Sequence, residues 1–158
     1  MRHLNRRLLT ALLMVAAVMM AACNRTTVYH HYEPTPPTGW EKDDTLFFYV
    51  PRAQCEGLLH EEVELRTNSS YPYMGLSLVV RQTVFPSGVS RTDTLNCSLV
   101  DESGAVKGQG VSLFQYHFHL TDLSLSEGDS VSIAIRHNMR REILPGIADI
   151  GICLTRYH

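Results

Sequence analysis

The stretch Ser130-Val131-Ser132-Ile133-Ala134-Ile135-Arg136-His137 decides the fold. Val131, Ile133 and Ile135 fall on alternate positions, and in an extended chain alternate side chains project from one face. A helix would scatter the same three around its axis. The run before it has the same period: Phe114, Tyr116, Phe118 and Leu120 share one side, with His117 and His119 on the other. Two such strands, each apolar on one face, need a second layer to cover them.

Outward from this pair the pattern repeats. Short alternating runs separated by Gly, Pro, Asn and Asp place strands over 45–50, 61–67, 75–83, 92–100, 112–120, 130–137 and 147–156. Pro86-Ser87-Gly88, Ser103-Gly104 and Glu127-Gly128-Asp129 supply turn chemistry between them. No segment has the 3.6-residue period of an amphipathic helix, and no internal repeat stands out. The expected fold is all-β, a single antiparallel β-sandwich of seven to eight strands over residues 40–158.

Upstream, residues 24–39 are polar and carry Pro34, Pro36 and Pro37, which deny the segment a helix. Residues 23–39 read as a tether. Val28-Tyr29-His30-His31-Tyr32 reads equally as a first edge strand, because aromatic and β-branched residues suit a half-buried pleat.

The first 22 residues have a different logic. Arg2, Arg6 and Arg7 precede an uncharged apolar run from Leu8 to Met20, and Ala21-Ala22 precede Cys23. That order is a cleavable secretion signal. Leu8 to Ala22 spans about 22 Å as a helix, short of the roughly 30 Å of a bilayer core. Met20-Ala21-Ala22-Cys23 resembles a bacterial lipobox, which implies that Cys23 becomes the lipid-bearing first residue of the mature chain. Several acyl chains on one residue make a lasting membrane tether. Asn24-Arg25-Thr26-Thr27 lacks the acidic residues that resemble inner-membrane retention or surface-export signals. By elimination the anchor is expected in the outer membrane, facing the periplasm.

Charge narrows the partners. The chain has 14 basic and 16 acidic residues; losing residues 1–22 removes three arginines and no acid, leaving 11 against 16 and a net charge of −5. Nothing there favours nucleic acid.

The run His137-Asn138-Met139-Arg140-Arg141-Glu142-Ile143-Leu144-Pro145-Gly146-Ile147-Ala148-Asp149-Ile150-Gly151 resembles a signature of the GldH gliding-motility lipoproteins of Bacteroidota. Other pieces follow the matching order: Trp40 with Asp43-Asp44 and Phe47, then Leu65-Arg66, Tyr71-Pro72-Tyr73, Asp93-Thr94, Asp101 with Gly104, and Gly108-Gln109-Gly110. The resemblance implies an outer-membrane lipoprotein that supports the gliding apparatus and the associated type IX secretion system through protein contacts, without catalysis. Relatives in species that do not glide imply an envelope or secretion role rather than motility itself.

The remaining residue types carry weaker chemistry. There is no Gly-x-Ser-x-Gly elbow, phosphate-binding glycine loop or His-Glu-x-x-His motif, so no catalytic residue and no cofactor are assigned. His117 and His119 share a face and could ligate zinc or copper if His137 joined them. His137 continues the inward set Val131, Ile133, Ile135, so the faces disagree; the pair reads as solvated surface, and no metal site is expected. Glu61, Glu62 and Glu64 read as a solvated acidic face. Once Cys23 is lipidated, three thiols remain for an oxidising compartment. Cys97 reads as a buried small hydrophobe; if any pair bridges, it is Cys55 with Cys153.

Tyr71, Tyr73, Met139, Arg140, Pro145, Gly146 and Asp149 stand as candidate partner or structural residues. In one reading Arg140 and Arg141 beside an aromatic form an interface. In the other, Met139, Leu144 and Ile147 plug one end of the sandwich, Pro145-Gly146 turns the chain, and Arg140 clasps Asp149. A carbohydrate- or peptidoglycan-binding module is the competing function, with Trp40, Tyr71 and Tyr73 as its available aromatics.

Overall fold

The computed structural model describes residues 27–157; the expected secretion signal and Cys23 lie outside the described residues. Ten strands follow in order: β1 (Thr27–Pro34), β2 (Trp40–Glu41), β3 (Leu46–Val50), β4 (Gly57–Asn68), β5 (Gly75–Phe85), β6 (Val89–Ser98), β7 (Leu113–Leu125), β8 (Ser130–His137), β9 (Ile143–Leu144) and β10 (Ile147–Arg156). No helix occurs among the described residues.

Eight of these strands make two four-stranded antiparallel sheets, ordered β1-β10-β4-β7 and β3-β8-β5-β6. The expected all-β sandwich is the observed fold. β8 and β10 have the bounds expected from the alternation, β4 and β5 extend beyond theirs, β7 runs past its expected end, and β6 is shifted toward the N-terminus, ending at Ser98 rather than at 100. Val28–Tyr32, left open between tether and strand, lies in β1, which pairs with β10 along Thr27↔Thr155 to Pro34↔Asp149.

The inner faces are what the period-two pattern dictates. One sheet contributes Leu59, Val63 and Leu65 from β4, Tyr116 from β7, and Ile150, Ile152 and Leu154 from β10; the other contributes Phe48, Leu78, Val80, Val131, Ile133 and Ile135. Each is nearly or fully buried, and burying a side chain of this size contributes about 1.5–3 kcal/mol. Cys97 is buried, as its place between Leu95 and Leu99 predicts.

Two expectations fail in the same strand. Glu61 follows the inward parity of Leu59, Val63 and Leu65 and is completely buried; Glu64 faces outward yet is also buried. The acidic group is therefore not a solvated face. Gln82 of β5 donates to Glu61 across the interior, linking the two sheets. No pair of thiols bridges among the described residues: Cys55, Cys97 and Cys153 are free. Cys55 lies in the exposed loop before β4, whereas Cys153 lies between His30 and Glu62 in the register of its sheet.

Candidate functional site

One end of the sandwich gathers the motif residues. β2 and β9 form a two-residue ribbon, Trp40 opposite Leu144, which folds the 138–146 connection back over the core. Trp40 is fully buried, sets its ring edge against His137 at 5.3 Å, and donates from Nε1 to the Asp44 carbonyl at 3.0 Å. Burial lowers the pKa of His137, keeping its imidazole neutral against the indole.

Gly146 closes this turn with φ near 81°, a left-handed conformation that glycine adopts without strain. Its Cα packs so closely on the Tyr71 backbone that an added Cβ would stand 2.2 Å from the Tyr71 nitrogen. The Asn68 N–H donates to the Gly146 carbonyl at 2.8 Å. Tyr71 and Tyr73 meet edge to face at 5.5 Å, Tyr71 donates to the Gly75 carbonyl, and Arg141 donates to the Tyr73 hydroxyl at 2.9 Å. Met139 packs against the core. Tyr71, Tyr73, Met139 and Gly146 thus come together, with Arg140 and Pro145 exposed on the same connection.

Asp149 does not join them. The expected Arg140–Asp149 clasp is replaced by Arg66, which holds the Asp149 carboxylate bidentately at 2.6 and 2.7 Å. The reason is register: Arg66 and Asp149 are paired neighbours on β4 and β10, whereas Arg140 belongs to the end loop.

That ion pair opens a polar network on the outer face of the β1-β10-β4-β7 sheet. The Arg66 guanidinium lies 4.1 Å over the Tyr32 ring, a favourable cation–π geometry. Tyr32 can reach across because Gly151 stands beneath it; a Cβ there would lie 2.6 Å from Cε1 of the ring. The Tyr32 hydroxyl donates to Glu64 and accepts from Gln115 at 3.1 Å. His30 Nε2 lies 2.9 Å and His117 Nδ1 3.2 Å from the same carboxylate. Burial pushes the Glu64 pKa up, but the Tyr32 and His30 hydrogen bonds and the two imidazoles outweigh it and hold the group below its ordinary value.

Nucleophilic chemistry finds little support here. Burial pushes the Cys97 thiol up to about 12 and the Cys153 thiol up to about 11, so both stay protonated and unreactive near neutrality. The aromatics considered for sugar binding do not form a platform: Trp40 is fully buried and the Tyr71 and Tyr73 rings are inclined at 74°.

His137 faces the interior, so the imagined triad with His117 and His119 does not assemble. Three other sets of possible metal ligands lie on the outer face: His30 with Glu64 and Cys153, Glu62 with Glu64 and His117, and His60 with His119 and Asp122. The sequence reading missed His30, His60 and Asp122. The signal available was parity: His60 shares its face with Glu62 and Glu64. Phe47 and Tyr49, exposed on edge strand β3, were also missed as surface aromatics.

A 28% identical relative, the gliding motility lipoprotein GldH of Flavobacterium johnsoniae, aligns over 121 residues, covering 72% of this chain and 76% of that protein. Among solved structures, a family GH115 4-O-methyl-α-glucuronidase superposes with a TM-score of 0.45 at 12% identity, covering 86% of this chain and 18% of the enzyme. Murine APRIL superposes at 0.38 and 13% identity, covering 82% of this chain and 100% of that chain. Both likenesses are too loose to bear on function. The family described as GldH lipoprotein matches residues 27–154, a span running from the first strand almost to the end of the last, and the chain belongs to that family.

Proposed function

We propose that this protein is a lipid-anchored, non-enzymatic component of the bacterial envelope that supports gliding motility, type IX secretion, or both, by docking to other proteins. Residues 1–22 are removed, Cys23 carries diacylglycerol and palmitate-type acyl chains, and the sandwich stands in the periplasm on the inner leaflet of the outer membrane. The observation that carries the reading is the GldH lipoprotein match over residues 27–154 in a chain opening with a lipobox-like boundary.

The docking surface is the end loop. Its backbone is pinned by Gly146, Asn68 and the β2-β9 ribbon, while Arg140 stays exposed and Asp149 is engaged elsewhere. A rigid loop presenting an arginine suits recognition of a partner carboxylate. The test is deletion of the gene, with complementation at matched expression by wild type or Arg140→Ala. Deletion is expected to impair secretion and spreading. Arg140→Ala should fail to restore them while keeping unfolding stability within about 0.5 kcal/mol of wild type. Normal secretion and spreading in the deletion strain would overturn the envelope role; full rescue by Arg140→Ala would remove the loop from it.

A further inference from the structure

The outer face of β4 and β7 carries a second constellation that the docking role does not use. The register of these strands slips between Glu61 and Glu62: Glu62 pairs with His119, Glu61 with Thr121, and Leu120 is skipped. The bulge sets Asp122 opposite His60 and brings it onto the face where His119 projects. The His60 and His119 rings stack at 4.4 Å, inclined by 7°.

The Glu64 carboxylate is already engaged by its neighbours, with Tyr32 donating to it and His117 Nδ1 3.2 Å away. His30 and Glu64 stand 2.9 Å apart, a hydrogen bond. His60 Nδ1 is 3.4 Å and His119 Nε2 is 3.9 Å from Asp122 Oδ1. Ligands held at 2.0–2.1 Å around a tetrahedral zinc ion are about 3.3 Å from one another. The His60 separation meets that requirement; the His119 separation exceeds it by about 0.6 Å, and because imidazole lone pairs lie in the ring plane the two stacked rings must splay apart for both to face one ion. All three ligand atoms lie within 4.8 Å of one another. Two imidazoles and a carboxylate are also a donor set suited to zinc, and all three side chains are open to solvent, which gives an ion a route in.

We propose that His60, His119 and Asp122 bind a zinc-class divalent cation. The Tyr157 hydroxyl lies between two of the ligands, 2.8 Å from His60 Nδ1 and donating to Asp122 Oδ1 at 2.9 Å; the ion displaces it. Glu62, whose carboxylate is 3.5 Å from His60 Nε2, orients that ring from its other nitrogen. Bound there, the cation ties edge strand β7 to β4 across the bulge.

The test uses the full chain purified in detergent, stripped by chelator and titrated calorimetrically with zinc chloride. One zinc per chain is expected, with His119→Ala and Asp122→Asn each weakening affinity by at least about ten-fold. His117→Ala, on the same face but seated on Glu64, should bind as wild type does. Tyr157→Phe removes the competing hydroxyl and should bind no more weakly than wild type. Far-UV circular dichroism on every variant separates loss of a ligand from loss of fold. A tetrahedral cobalt(II) absorption spectrum in the wild type, absent in His119→Ala, would support the same geometry. The assignment is overturned by no stoichiometric binding, by unchanged affinity in correctly folded His119→Ala and Asp122→Asn, or by loss in His117→Ala alone, which would move the ion to Glu64.

Discussion

Glu61→Gln should stabilise the protein above neutrality and do little at acid pH. The Glu61 side chain is completely buried and one of its carboxylate oxygens has no hydrogen-bond partner among the described residues. Burial pushes its pKa from 4.5 up to about 7, against the opposing hydrogen bond from Gln82. A raised carboxylate pKa means that the folded state holds the proton more tightly than the unfolded state. The associated stability is fully present below 4.5 and declines as pH rises to about 7. At 1.36 kcal/mol for each pH unit, the loss amounts to about 3 kcal/mol. Glutamine keeps the acceptor for Gln82 and carries no charge, so it reproduces the protonated state at every pH. Unfolding free energies from urea titrations of wild type and Glu61→Gln, measured from pH 4.5 to 8.5, should coincide at the acid end and separate by about 3 kcal/mol at the alkaline end, the variant being the more stable. A separation that stays constant with pH, or a variant that is weaker at pH 8, would refute the reasoning.

Gly146→Ala must place a Cβ in left-handed backbone and against the Tyr71 amide; a loss of at least about 1–2 kcal/mol is expected in urea unfolding. Unchanged stability would mean that the end loop is not pinned there. Gly151→Ala should cost about 1–3 kcal/mol by forcing Tyr32 off Glu64 and leaving that buried carboxylate short of a donor. Because the clash needs the ring, Gly151→Ala added to Tyr32→Ala should cost little more than Tyr32→Ala alone; fully additive losses in the double-mutant cycle would contradict the contact.

The parts of the fold legible in the sequence are those where period two and side-chain chemistry agree. Val131, Ile133 and Ile135 give the bounds of β8, and Ile150, Ile152 and Leu154 give the buried face of β10. Glu61 shows the opposite case. Its inward parity with Val63 and Leu65 was visible, but charge argued for solvent, and the hydrogen-bond donor Gln82 comes from the other sheet. Burial of Glu64 depends on the strand order β1-β10-β4-β7, which brings Tyr32, Gly151 and His117 from distant segments to one carboxylate. No local pattern encodes that order. The pairing of His60 with Asp122 needs a bulge as well, and a one-residue slip moves every side chain beyond it to the other face. Of the end-loop motif, the turn at Pro145-Gly146 and the packing of Met139 were readable; the partner of Asp149 was not, because Arg66 lies 83 positions away in sequence.

The central claim, an envelope protein held by lipid on Cys23, is tested most directly by detergent phase partitioning of wild type and Cys23→Ser from membranes washed at high salt. Wild type should enter the detergent phase as a processed chain, while Cys23→Ser should show altered processing and lose its detergent-phase partition. Equal membrane retention and equal partition of the two proteins would contradict the account.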